Sequence, residues 1–144
     1  MADEMAVLVG TVGQGIMRSS DGGGDWQRIG VNQGMYQNAM VRVLANHPAR
    51  PEVVYAGSER GLFKSDDAGQ NWRRIESPLS EYSVWAIAID PSNPDVILAG
   101  TGTPTPVAMF RSTNAGKSWE RREMEVVDEC PIGNPQMTGI AFDP

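Results

Sequence analysis

Two sets of side chains in this sequence are equipped for chemistry. Glu81, Asp128 and Glu129 are carboxylates of the type that work in pairs on a glycosidic bond, one as acid and one as base or nucleophile. Retaining enzymes hold such a pair about 5–5.5 Å apart and inverting ones roughly 6.5–9.5 Å. Tyr36, Asn38, Arg42, Tyr82 and Trp85 suit binding instead: aromatic faces stack on a ligand, and a guanidinium grips an anion through two parallel N–H bonds. Whether either set meets depends on the elements that carry it.

Other motifs have plainer readings. Gly10-Thr11-Val12-Gly13-Gln14-Gly15 resembles a nucleotide-binding turn, but such a turn must open a helix, and Ile16–Ser19 reads as a strand. Gly116-Lys117-Ser118 echoes the end of a phosphate-binding loop whose first glycine is replaced by Arg111. The Asp21–Asp25 turn offers carboxylates to a hard cation, yet its two counterparts lack the second carboxylate, so a self-bonded turn is expected and no metal. His47, the single histidine, aligns with Asp90 and Asp143 and reads as a turn residue rather than a base. Cys130 has no evident partner base and is expected to be an idle thiol.

The elements follow from a repeat. Ser19-Ser20-Asp21-Gly22-Gly23-Gly24-Asp25-Trp26 returns as Ser65–Trp72 and Ser112–Trp119, at spacings of 46 and 47 residues. In each copy Asp21, Asp67 or Asn114 can turn its side-chain oxygen onto following N–H groups, and Gly23, Gly69 or Gly116 can take a positive φ. The chain therefore reverses there, and Trp26, Trp72 or Trp119 is expected to open the next strand and bury its ring in the layer beneath. Strands are expected at 6–11, 15–19 and 26–29, then at 40–46, 53–57, 62–65 and 72–75. A further set falls at 84–89, 96–101, 108–112 and 119–122, and a last strand at 137–142, which aligns with the first strand of each unit. With strands lettered A to D, the order is BCD, ABCD, ABCD, A.

These residues resemble the Asp-box, or bacterial neuraminidase, repeat, a family that spans sialidases, xyloglucan-degrading glycosidases, sortilin and photosystem assembly factors. The resemblance implies an all-β propeller of four-stranded blades. In that family the D–A and B–C loops share the face around the central channel, and the Asp-box turns lie on the opposite rim. Function is then expected on the D–A loops 30–39, 76–83 and 123–136 and at Arg42, Trp85 and Thr138, which occupy equivalent positions at the start of strand A. This face suits a carbohydrate or another polar small molecule. Two readings remain: a non-catalytic binding scaffold, or a glycosidase-like hydrolase using Glu81 with Asp128 or Glu129. On a third view Tyr82 and Trp85 simply pack between blades. A sialidase needs an arginine triad, and Arg42 alone is suitably placed.

Composition narrows the class. The 144 residues form one propeller segment with 16 Gly and 10 Pro, fitting a turn-rich β protein. A net charge of −6 argues against nucleic acid. One cysteine permits no internal disulfide, and no apolar run is long enough to span a membrane. The acidic N-terminus lacks the features of a leader, so a cytoplasmic location is expected, with no cofactor. Three blades' worth of strands fall short of the usual four to eight. The chain is thus expected to be part of a longer propeller or one half of a homodimeric ring.

Overall fold

The structure, a computed structural model, describes residues 5–125 and 135–143. Short alternating apolar segments separated by Gly-rich turns form three antiparallel sheets, each a meander. The first holds β1 (Val7–Gly10), β2 (Ile16–Ser19) and β3 (Gln27–Ile29). The second holds β4 (Val41–Asn46), β5 (Val54–Ser58), β6 (Gly61–Ser65) and β7 (Arg73–Ile75). The third holds β8 (Ser83–Ile89), β9 (Ile97–Gly102), β10 (Met109–Ser112) and β11 (Glu120–Arg122).

The Asp-box is held by its serine as much as by its acid. Ser65, 1% exposed, donates through Oγ to Asp67 Oδ1 (2.8 Å) and accepts the Gly69 N–H (2.9 Å). Asp67 Oδ1 accepts the Asn71 N–H (2.8 Å), and the Trp72 indole N–H donates to the Gly69 carbonyl (3.0 Å). The same bonds recur at Ser19, Asp21, Gly23 and Trp26, and at Ser112, Asn114, Gly116 and Trp119. Each tryptophan is thus the last residue of the turn, and the strand begins one residue later than expected.

Because strand side chains alternate, a sheet offers one face to the sheet before it and one to the sheet after. Val54, Ala56, Phe63 and Trp72 of the second sheet meet Ile16 and Ile29 of the first. Tyr55, Leu62 and Ile75 point the other way and meet Ile97, Ala99, Phe110 and Trp119 of the third. A glycine in each second strand admits the first strand of the following sheet. A Cβ on Gly10 would stand 2.9 Å from Val41 Cγ1, and one on Gly57 would stand 2.6 Å from Val43 Cγ1 and 2.8 Å from Val84 Cγ1. Gly100 has the same relation to Met137.

Two expectations are corrected. Trp72 and Trp119 are buried at 5% and 8% exposure, but Trp26 is 40% exposed. The reason is positional: an Asp-box tryptophan is covered by the preceding sheet, and no sheet precedes the first among the described residues. Residues 137–142 form no strand. A first strand gains its ladder from the second strand of its own unit, and the described residues hold none after it.

Candidate functional site

The first strands of neighbouring sheets, β4 and β8, lie side by side, and each carries a bulge at one place. Val41 pairs with Ser58 and Val43 with Gly57, which leaves Arg42 outside the ladder. Val84 pairs with Thr101 and Ala86 with Gly100, which leaves Trp85 outside. A bulge re-aims the extra residue. Here it brings the Arg42 guanidinium over the Trp85 ring, 4.1 Å from the ring centre. The Trp85 indole N–H is anchored on the Thr103 carbonyl at 3.0 Å, which fixes the platform. Arg42 Nε is buried and has no hydrogen-bond partner among the described residues. Thr138, the third equivalent residue, is exposed.

The D–A loops are less free than their unlike sequences suggest. The first two each carry a short 3-10 turn, Val31–Gln33 or Pro78–Glu81, and drive one apolar residue between sheets: Met35 at 1% exposure and Leu79 at 0%. Tyr36 leans on Phe63 (ring centres 5.7 Å apart), and Tyr82 meets Phe110 edge-on (5.3 Å). Both tyrosines therefore join their loop to the sheet that follows. Arg60 lies 4.4 Å above the Tyr36 ring, and the Tyr36 hydroxyl is buried with no hydrogen-bond partner among the described residues. Burial, aided by the neighbouring Glu59 carboxylate, pushes the Tyr36 phenol above its ordinary range. Glu59 in turn accepts the Met40 N–H at 2.9 Å.

Of the remaining candidates, Asn38 is exposed with φ 61°, and Glu81 is exposed at the end of its 3-10 turn. Asp128 and Glu129 lie outside the described residues. Arg42 and Trp85 are thus brought into contact, while Tyr36 and Tyr82 serve separate loop junctions. Glu59 and Arg60 were missed, although the β5–β6 hairpin belongs to the face that the resemblance singles out. Beside Tyr36's loop, Arg28, Gly30, Val31, Asn32, Gln33 and Gln37 line a shallow groove of about 270 Å³. Among the described residues no three His, Cys, Asp or Glu side chains converge as a metal site would require.

Repeated antiparallel meanders with Asp-box turns between third and fourth strands define a β-propeller of the Asp-box class. Residues 14–138 match the sequence profile described as Sortilin-Vps10 (sortilin, neurotensin receptor 3), and the chain belongs to that family. It is 28% identical over 80 residues to a xyloglucanase of Hypocrea jecorina, a match covering 55% of this chain and 9% of that enzyme. Its fold is similar to that of an ancestral GH74 enzyme (TM-score 0.69, 22% identity, 84% of this chain and 17% of the other). It is also similar to YCF48 bound to D1 peptide (TM-score 0.61, 20% identity, 83% of this chain and 38% of the other). The chain spans well under half the length of each.

Proposed function

We propose that this propeller segment is a binding scaffold that presents Arg42 and Trp85 to a polar ligand, with a carbohydrate as the favoured class. The observation that carries this reading is the Arg42 guanidinium stacked on the Trp85 ring, both freed from the ladder by a bulge. Arg42 is partly exposed while its Nε is closed to solvent, so a ligand acceptor would engage the outer N–H groups of the guanidinium, a charge-assisted bond worth about 1.5–3 kcal/mol. Stacking on Trp85 holds the guanidinium plane in place, so less rotamer freedom is lost on binding. Tyr36, Asn38 and Tyr82 belong to the loops that flank this face, and the xyloglucanase similarity makes xyloglucan oligosaccharides the first probe.

The test is a titration of xyloglucan oligosaccharides followed by tryptophan fluorescence, with reducing-sugar release measured in parallel. Saturable binding without turnover, weakened at least about tenfold by Arg42→Met, is the expected result. Turnover that disappears in Glu81→Gln would replace the scaffold reading with the hydrolase one. Binding indifferent to Arg42→Met would remove the site.

A further inference from the structure

We propose that the groove beside loop 30–39 is a second binding site, separate from the Arg42–Trp85 stack, and that it takes a small carboxylate of the uronic acid type, gripped by Arg28. The repeat supplies the template. Arg28 pairs with Met17 as Arg74 pairs with Phe63, so the two arginines hold one place in successive units. Each spends its Nε in the same way. Arg28 donates to the Gln14 carbonyl (2.9 Å) and Arg74 to the Arg60 carbonyl (3.2 Å), each acceptor lying just before a hairpin glycine, Gly15 or Gly61. The bond fixes the guanidinium, so little rotamer freedom remains to be lost when its outer nitrogens find an acceptor.

At those outer nitrogens the units part. In the second unit they are served from within the chain: Arg74 Nη2 donates to the Ser80 carbonyl (2.9 Å), and Nη1 lies 3.9 Å from Glu76 Oε1. In the first unit Gly30 stands at the place of Glu76, and the outer nitrogens of Arg28 have no acceptor among the described residues. The third unit sides with the second, since Arg121-Arg122-Glu123 matches Arg74-Ile75-Glu76 where the first has Arg28-Ile29-Gly30. The place is open in space as well as in sequence: a Cβ on Gly30 would meet nothing nearer than Gln33 Oε1 at 3.6 Å. With φ −116° and ψ −162°, Gly30 has an extended backbone that other residues adopt equally well, so strain does not account for the glycine.

What fills this place in the second unit is a carboxylate and a carbonyl, and the groove beside Arg28 suits a ligand that brings the same oxygens. Its volume of about 270 Å³ lies just below the roughly 300–1,000 Å³ of drug-sized sites, which limits the occupant to about one sugar ring. Arg28 offers a carboxylate parallel N–H donors. Asn32, Gln33 and Gln37 add carboxamides that suit hydroxyls, and no carboxylate lines the groove to repel an anion. Gln33 spends its Oε1 on the Gly30 N–H (3.0 Å), which leaves its amide N–H groups as donors. Val31, an exposed apolar side chain on the same wall, suits the carbon face of a ring. A sheet on either side does not close such a place: Arg74, between the first and third sheets, keeps 38% of its side chain exposed.

The experiment titrates the full ¹⁵N-labelled chain with sodium glucuronate, and separately with glucose at matched ionic strength, and follows the Arg28 Nε–H and the Gln33 and Gln37 side-chain amides by NMR. The expected result is a saturable shift of these resonances with glucuronate and binding at least about tenfold weaker with glucose. Arg28→Gln should weaken glucuronate binding by a similar factor. Gly30→Glu, which gives the first unit the carboxylate that the second carries, should weaken it as much. It should also move the Arg28 Nε–H toward its glucuronate-bound position with no ligand present, a signature that a general loss of structure does not produce. Glucose shifting the same resonances with equal affinity overturns the proposal. So does an Arg28→Gln protein, or a Gly30→Glu protein with a dispersed folded spectrum, that binds glucuronate as tightly as the parent. Should Gly30→Glu not fold, Arg28→Gln and the glucose comparison decide.

Discussion

Gly57→Ala separates backbone preference from packing, because the two predict opposite signs. Gly57 lies in a strand without a positive φ, so alanine should stiffen the unfolded chain and add about 0.4–1 kcal/mol of stability. The new methyl, however, would meet Val43 Cγ1 at 2.6 Å, Val84 Cγ1 at 2.8 Å and the Val84 carbonyl oxygen at 3.1 Å. Both valines are stiff at χ1, so relief requires β4 and β8 to move apart. Overpacking of this kind costs about 1–3 kcal/mol, which leaves a net loss of roughly 1–2 kcal/mol. Urea denaturation at constant slope measures the loss. Near-UV circular dichroism, recorded against the same change in a Trp85→Phe background to isolate that ring among the four tryptophans, reports in parallel the disturbed stack with Arg42. Gly30→Ala is the control, since its nearest neighbour is a flexible glutamine oxygen at 3.6 Å. A Gly57→Ala protein as stable as the parent, with an unchanged tryptophan signal, would refute the reasoning.

Three further outcomes are expected. Ala68 adopts φ 55°, where the first unit has Gly22 at φ 75°, so Ala68→Gly should raise stability by about 1 kcal/mol, read as a higher urea midpoint. Trp72→Ala should cost about 3–5 kcal/mol in the same assay, because the ring is buried between two sheets. Asp21 is held below its ordinary pKa, first by the Ser19 hydroxyl and then by the Asp25 N–H. A carboxylate lowered in the folded state contributes stability that is complete above its unfolded value of about 3.9 and is lost as pH falls through the lowered one. Asp21→Asn, which imitates Asn114, should therefore flatten the loss of stability below about pH 4, measured as unfolding midpoint against pH.

The repeat was legible because its chemistry is local: a serine, an Asp or Asn and a glycine close the turn within eight residues, wherever the sheet sits. Burial was not legible for Trp26, since the same eight residues bury a tryptophan at 72 and 119 but need a neighbouring sheet to do so. The site was half legible. The alignment placed Arg42 and Trp85 at equivalent positions, but alternation along Val41-Arg42-Val43 gives no sign of a bulge, which arises from pairing with β5. Met35 and Leu79 looked like ordinary loop residues, because what buries them is sequence-distant. Glu59 and Arg60 were passed over with the hairpin that carries them.

The bulges have a consequence for how such a face can change. Arg42 and Trp85 take no part in ladder pairing, so the strand's register does not depend on which side chain stands there. The chain itself samples three answers at this one place: a cation, an indole and, at Thr138, a hydroxyl. The second and third sheets thus each carry one interchangeable side chain at this place, and a change there leaves the hydrogen-bonded frame intact. On the binding function proposed above, such a propeller would alter what it recognises one sheet at a time, much as a combination lock is reset wheel by wheel.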